Sequence, residues 1–159
     1  MSNIYHICIG LPQGGIESIL YKVILFTKKN INHTVISFRG KGYYGKKLED
    51  IGVNVIYLDN NSGKFSFFSI IKLFKILKKN KPKIVQTWWY PADVIGGVIA
   101  HIAGIKNIVW GIFSTNINPL FVGPGTIFFL PFCILFSYFI PDKIISCTKK
   151  GIIRHSKIG

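Results

Sequence analysis

Residues 4–16 have the sequence IYHICIGLPQGGI, an apolar run that ends at Gly10 and continues through a glycine-containing turn. A short apolar run bounded by turn residues is typical of a buried strand in a parallel sheet. The residues that follow predict an amphipathic helix, because apolar side chains recur every three or four positions. These side chains are Ile16, Ile19, Leu20, Val23 and Ile24. Strand, glycine turn and helix together predict the first unit of an α/β fold.

The same alternation continues along the chain. Further strands are predicted at 33–38, 53–57, 83–87, 107–112 and 143–147, and helices at 44–51, 66–79 and 92–103. Thr148 is predicted to cap a last helix that starts at Lys149. The pattern predicts a Rossmann-like, doubly wound and mainly parallel sheet with helices on both faces, in a single domain over 1–159. Ligands of such sheets bind at the carboxyl ends of the strands.

Composition and charge narrow the class of protein. Of the 159 residues, 49% are hydrophobic and 16% are charged, which excludes a disordered chain. Lys and Arg number 20 against six Asp and Glu, so the net charge is +14. This surplus indicates anionic partners such as phosphates or acidic lipids, although lysines also serve solubility alone. No nucleic-acid recognition motif accompanies the lysines, so we expect no nucleic-acid partner.

The cysteines and the N-terminal residues indicate the cellular compartment of the protein. Cys8, Cys133 and Cys147 lie far apart and form no pattern of disulfides or zinc ligands. The first 15 residues lack a basic region followed by a long apolar run, so no signal peptide is predicted. We therefore expect a cytoplasmic protein.

The glycine turn between the first strand and its helix is a candidate phosphate site. Gly14 and Gly15 let a ligand approach the backbone, and the helix N-terminus attracts an anion. The spacing G-x-x-x-G-G matches neither the dinucleotide fingerprint nor a Walker A loop. A plain tight turn is the alternative, and Glu17 in the first helical turn could serve only the helix dipole. The acidic residues are scattered and form no metal-binding motif, so no metal is expected.

Several segments in order carry a resemblance to one family. The turn and its flanks, from His6 to Glu17, follow the pattern G-L-x-x-G-G-x-E, and residues 81–88 read KPKIVQTW. Further segments are 33–37 (HTVIS), 48–53 (LEDIGV), 92–93 (AD), 96–97 (GG), 109–112 (VWGI) and 140–147 (IPDKIISC). The ordered set resembles the N-terminal, acceptor-side domain of the family 4 glycosyltransferases, which have the GT-B fold.

The resemblance implies retaining transfer of a sugar from a nucleotide-sugar donor to an acceptor hydroxyl, in bacterial surface polysaccharide or glycolipid synthesis. No metal or other cofactor is implied. The donor diphosphate would face Gly14 and Gly15, with Glu17 supporting the loop. The acceptor would lie along the loops after the fourth and fifth strands. The residues implied there are Trp88, Tyr90, Asp93, Ser114, Thr115 and Asn116.

The chain departs from the family pattern at two places on the acceptor side. Gln86 and Trp88 stand where many relatives have histidine, and Phe113-Ser114 stands where close relatives often have a basic or histidine pair. Trp88 and Trp89 could stack on a sugar face or pack in the core.

Family members bind the nucleotide mainly through a second domain that contains an E-x7-E motif, and the glutamates of this sequence are Glu17 and Glu49. We therefore expect the C-terminal nucleotide-sugar-binding domain to be absent, the chain to be a truncated fragment, and the domain to be inactive alone. A separate polypeptide that supplies the other lobe is the alternative. A non-enzymatic module that binds a nucleotide, a phosphate or a membrane is the other function considered.

The stretch from Leu120 to Ile140 is almost wholly apolar and raises the question of a membrane contact. Its 21 residues would extend about 31 Å as a helix, enough to cross a bilayer. Prolines interrupt it, so the prediction is a loop and then a helix from Pro131 to Ile140 that is too short to span. We expect peripheral contact with the inner face of the cell membrane, to which six lysines between Lys72 and Lys83 could add electrostatic attraction. A solvated helix face is the alternative role of these lysines. An integral span is the alternative.

Overall fold

The computed structural model describes residues 2–59, 66–114 and 124–157. Within them, six strands form one parallel sheet in the order β3-β2-β1-β4-β5-β6. The strands are β1 (Ser2–Cys8), β2 (Ile31–Ser37), β3 (Asn54–Tyr57), β4 (Ile84–Trp88), β5 (Ile108–Ile112) and β6 (Lys143–Ser146). The helices are α1 (Gly15–Thr27), α2 (Gly42–Asp50), α3 (Phe67–Asn80), α4 (Tyr90–Ile102), α5 (Pro124–Ser137) and α6 (Lys149–His155). The predicted doubly wound α/β class is confirmed.

Helices cover both faces of the sheet because side chains alternate along each buried strand. In β1, Ile7 belongs to the core beneath α3, α4 and α5, whereas Cys8 belongs to the core beneath α1 and α2. Leu73 and Leu77 of α3 are fully buried on the first face, and Leu20 and Ile24 of α1, together with Leu48 of α2, are buried on the second.

Side-chain caps fix the starts of two helices. The Ser66 hydroxyl accepts a hydrogen bond from the Phe68 N–H at the start of α3. The Thr148 hydroxyl accepts one from the Gly151 N–H at 3.0 Å, which confirms the predicted cap of α6. Such caps satisfy N–H groups that have no partner within the helix.

Helix α5 begins earlier than predicted, and the expectation of a helix that starts at Pro131 was wrong. Pro131 lies inside α5, where it removes one backbone hydrogen bond at a cost of about 3 kcal/mol. Apolar packing offsets this cost, because Phe129 and Phe136 pack against the core around the buried Cys133. Residues 120–123 of the apolar stretch lie outside the described residues. In the described ranges, no helix combines the length and the apolar character needed to cross a membrane.

Gly97 marks the closest approach of α4 to the sheet. A Cβ placed there would lie 2.5 Å from Nε1 of Trp110 in β5, whereas one placed at Gly15 would meet no atom within 4 Å. We predict that Gly97→Ala lowers the free energy of unfolding by about 1–3 kcal/mol, because the indole must shift. Urea denaturation measures this change.

Gly15→Ala is the matched control. It should leave the free energy of unfolding unchanged or raise it by up to about 1 kcal/mol, because alanine favours the helix. Equal losses in the two variants would contradict the close packing of Gly97.

Candidate functional site

A cleft of about 300 Å³ opens at the carboxyl ends of β1, β2 and β4. Its walls are mainly apolar, and the charged side chains among its described lining residues are Glu17 and Arg39. The lining residues are Cys8, Ile9, Gly10, Pro12, Ile16, Glu17, Leu20, Arg39, Trp88, Trp89, Pro91 and Thr126. The cleft therefore lies where a doubly wound sheet binds its ligands.

The segment after β2 holds the glycine turn in place. Gly42 has a φ of 58°, and a Cβ there would overlap the carbonyl group of Leu11. The Tyr44 N–H donates a hydrogen bond of 2.9 Å to the same carbonyl oxygen. Leu11 itself is buried in the core beneath α1 and α2. The turn is thus fixed by backbone contacts as well as by its own glycines.

The predicted donor-phosphate residues lie at the start of α1. Gly14 is the N-cap in extended backbone, and no side chain caps the helix there. The Glu17 carboxylate lies so close to Gly14 that a Cβ at Gly14 would overlap it, and burial raises the pKa of Glu17. Gly15 is exposed. Glu17 lines the cleft, whereas Gly14 and Gly15 are not among its lining residues, and their phosphate role stays a prediction.

The two adjacent tryptophans have different environments. Trp88 is 3% exposed and stacks on Phe113, with ring centroids 4.8 Å apart and an interplanar angle of 3°. Trp89 is 42% exposed and has φ 80° and ψ 153°, a conformation that costs an L residue about 1–3 kcal/mol. Trp88 is therefore a core residue at the cleft floor, and Trp89 is the ring that a ligand can reach. Sequence reasoning considered Trp89 for stacking but left it out of the acceptor residues.

A chain of hydrogen bonds runs beneath the cleft floor. The Trp88 Nε1 and His6 Nδ1 atoms are 3.2 Å apart, and the His6 Nε2 and His33 Nδ1 atoms are 2.9 Å apart. His33 Nε2 lies 2.9 Å from the Thr27 hydroxyl, which donates to the Val23 carbonyl oxygen at 2.6 Å. Sequence analysis did not identify this chain, because His6 and His33 are 27 residues apart.

The chemistry of the groups sets the direction of this chain. An indole N–H only donates, so His6 must accept at Nδ1 and carry its proton on Nε2. His6 then donates to His33, and His33 donates to Thr27. Both rings are therefore neutral, and burial together with His33 lowers the pKa of His6 to about 3. Burial also lowers the pKa of His33.

Two predicted acceptor residues lie inside the protein. Asp93 is fully buried and accepts hydrogen bonds from the Thr87 hydroxyl at 2.5 Å and the Gly111 N–H at 3.4 Å. Burial raises its pKa to about 7. The Tyr90 hydroxyl lies 2.7 Å from Nε2 of His155 in α6. Asp93 and Tyr90 line a separate small cavity, of about 30 Å³, rather than the cleft.

This small cavity contains unsatisfied polar atoms. Within the described residues, Asp93 Oδ2 and Trp110 Nε1 are buried and have no hydrogen-bond partner. Ser114, the next predicted acceptor residue, is half-buried after β5, whereas Thr115 and Asn116 lie outside the described residues. The acceptor roles of all these residues stay predictions. In the described part of the chain, no group of three His, Cys, Asp or Glu side chains could hold a metal ion.

No protein-family model matches the chain, and no curated protein matches it. The fold does match solved structures of GT-B glycosyltransferases. HepE of Anabaena, solved with UDP and glucose, has a TM-score of 0.79 and 15% sequence identity, and the match covers 100% of this chain and 42% of that protein. This chain thus spans about two fifths of the HepE chain.

Two further structures have the same fold. MurG of Acinetobacter baumannii has a TM-score of 0.62 and 14% identity, with 94% of this chain and 43% of that one covered. The lipopolysaccharide outer core galactosyltransferase WaaB has a TM-score of 0.51 and 21% identity, with 68% and 32% covered. At these identities the likeness shows the fold alone, which is that of one Rossmann-like lobe of these proteins.

Two buried groups should give opposing pH dependences of stability. Burial lowers the pKa of His6 from 6.5 in the unfolded chain to about 3 in the fold, so acidification from pH 6.5 lowers the free energy of unfolding. Burial raises the pKa of Asp93 from 3.8 to about 7, so acidification from pH 7 to 4 raises the free energy of unfolding. Each group contributes about 1.4 kcal/mol for each pH unit.

We predict that Asp93→Asn removes the second contribution. Between pH 6.5 and 4, stability of the variant should fall by about 1.4 kcal/mol per pH unit more than that of the wild type. Urea denaturation at a series of pH values measures both slopes. Identical slopes would show that Asp93 is not protonated in the folded state.

Proposed function

We propose that this domain is the acceptor-side lobe of a glycosyltransferase that moves a sugar, with retention, from a nucleotide donor to a glycan or glycolipid acceptor. The observation that carries the proposal is the cleft at the carboxyl edge of a sheet whose whole length matches HepE, a protein solved with UDP and glucose. An apolar cleft with an exposed tryptophan and two charged side chains suits a sugar, which has an apolar face and polar edges.

The start of α1 is the proposed contact with the donor diphosphate. The first N–H groups of a helix have no partner within it, and the helix dipole is positive there. No side chain caps the helix at Gly14, and the Glu17 carboxylate bonds to its own backbone N–H, so the N–H groups of Gly15 and Ile16 remain for an anion. A side chain at Gly14 would displace Glu17 and obstruct this approach.

Transfer in this proposal needs a second lobe that binds most of the nucleotide. The match to HepE covers 42% of that protein, and the described residues of this chain build one sheet. The second lobe closes over the cleft, which excludes water from the reacting groups. A continuation of the chain or a separate polypeptide would supply it.

The proposal predicts no sugar transfer from UDP-sugars by the domain alone, and transfer when it is fused to the remaining part of HepE. In that fusion, Gly14→Val should lower the rate by roughly tenfold or more, because a donor contact is obstructed. The exposed change Ser156→Val is the control and should leave the rate unchanged. The rate is measured by chromatography as the UDP that is released together with the glycosylated acceptor, less the UDP released without an acceptor. Robust turnover by the domain alone would contradict the need for a second lobe.

Helix α5 provides the support for a membrane contact. Its outer surface carries an aromatic ridge, which consists of Phe128, Phe132 and Leu135 and continues to Phe139 in the turn just after the helix. These exposed side chains recur at helical spacing on the side opposite the buried Cys133. A second copy of this chain is disfavoured as the partner, because each copy carries +14. We propose that the aromatic ridge rests on an anionic membrane, which offers both negative charge and an apolar interior.

The double variant Phe128→Ser/Phe132→Ser tests this contact. We predict that it reduces severalfold the fraction of protein that sediments with phosphatidylglycerol-containing vesicles. Phe26→Ser is the matched control, since Phe26 is more exposed but lies on α1 at the other face of the sheet. Equal effects of the two changes would contradict a specific role for α5, and dimers that the double variant abolishes would show that the ridge binds a second copy.

A further inference from the structure

Arg39 is an unusual residue in a chain that otherwise relies on lysine. Of the 20 basic residues, two are arginines, Arg39 and Arg154. Arg39 follows β2 at the carboxyl edge of the sheet and lines the cleft. An arginine presents five N–H donors in a fixed planar fork, which matches the oxygens of a phosphate or a carboxylate. A lysine offers only a point charge.

The backbone and the stem of Arg39 are held in place. Its N–H donates to the Ile9 carbonyl oxygen at 2.9 Å, and its carbonyl oxygen accepts from the Ser37 hydroxyl at 2.8 Å. Its Cδ lies over Gly10, 3.5 Å from where a Cβ of Gly10 would be. With respect to the described residues, the guanidinium makes no hydrogen bond and no ion pair. Arg39 therefore lines the cleft with a fixed backbone and a guanidinium whose donors have no partner among the described residues.

Trp89 is the second, independent feature of the same cleft. Its backbone is strained, with a φ of 80°, and its ring is exposed rather than packed in the core. Strain of this kind persists only where the surrounding structure imposes it, and it occurs often at ligand sites. The ring offers a flat apolar surface for a sugar. The volume of the cleft is at the lower end of the range for small-molecule pockets.

We propose that the cleft binds an acidic sugar, with its ring on Trp89 and its phosphate or carboxylate on Arg39. This names the acceptor class for the function proposed above and rests on that function. Glu17, the other charged residue of the cleft, excludes a second negative group beside it when ionised. The site therefore takes a ligand with one anionic substituent rather than a highly charged one.

The test is a calorimetric titration of the full chain with four probes: glucose 6-phosphate, glucuronate, glucose and inorganic phosphate. We expect one or both acidic sugars to bind roughly tenfold tighter than glucose, because charge-assisted hydrogen bonds form only with them. The stronger of the two identifies the phosphate or the carboxylate as the substituent. Inorganic phosphate should bind more weakly than glucose 6-phosphate, because it makes no contact with Trp89.

Variants separate the two contacts. Arg39→Gln should lower the affinity for acidic sugars roughly tenfold and leave the affinity for glucose unchanged. Arg154→Gln, the matched control in α6, should change neither affinity. Trp89→Ala should lower the affinity for every sugar but not the affinity for inorganic phosphate. Circular dichroism checks that each variant is folded, and Arg39→Lys, which keeps the charge, should recover only part of the affinity.

Three results would overturn the inference. They are equal affinity for glucose and both acidic sugars, equal effects of the two arginine variants, and binding of inorganic phosphate as tight as that of glucose 6-phosphate. The proposed function is tested separately, by sugar transfer in the HepE fusion. If acidic sugars bind as expected but the HepE fusion transfers nothing, the proposed function fails and this site stands. If the fusion transfers sugar but the titration shows no acidic preference, only this inference fails.

Discussion

Parallel pairing of β1 with strands on both sides is the constraint on which the cleft depends. Cys8, at the end of β1, pairs with Ser37 of β2 and with Trp88 of β4. Parallel strands in this register end at one level, so the turns that follow them converge. Gly10, Arg39 and Trp89 are far apart in sequence but line one cleft for this reason. A shift of one residue in β1 would turn His6 and Cys8 to the opposite core and separate these groups.

Buried polar groups fix the two sides of this central strand differently. Beneath α1, the hydrogen bonds from Trp88 through His6 and His33 to Thr27 are complete, so the cleft floor is rigid and uncharged. Beneath α4, Asp93 holds the end of β4 through Thr87 but keeps one oxygen without a partner among the described residues. The complete series of hydrogen bonds stabilises a single arrangement of the side chains beneath α1. The Asp93 carboxyl, with one oxygen unsatisfied, makes the stability of the face beneath α4 sensitive to pH.

Much of the fold could be predicted from the sequence, because apolar periodicity and glycine turns are local signals. The alternating strands and helices and the Thr148 cap are of this kind. The prediction failed at Pro131, where packing of α5 on the core outweighs the local preference of proline. At the site, the sequence could not show that Trp88 is buried and Trp89 exposed, since this difference arises from the strained backbone angle of Trp89. Tyr90 and Asp93 do follow β4, as expected for residues of the acceptor side, but the first turn of α4 directs their side chains into the protein.

The central claim is that sugars bind at the carboxyl edge of the sheet. Nuclear magnetic resonance of the ¹⁵N-labelled chain, titrated with UDP-glucose and with glucose 6-phosphate, tests it most directly. The account predicts that the amide signals of Gly10, Gly15 and Arg39 and the indole signal of Trp89 shift with saturation. Another cavity, at the opposite edge of the sheet, has Lys28, Lys29, Asn32 and Gly52 among its lining residues. Shifts confined to those four residues would contradict the account.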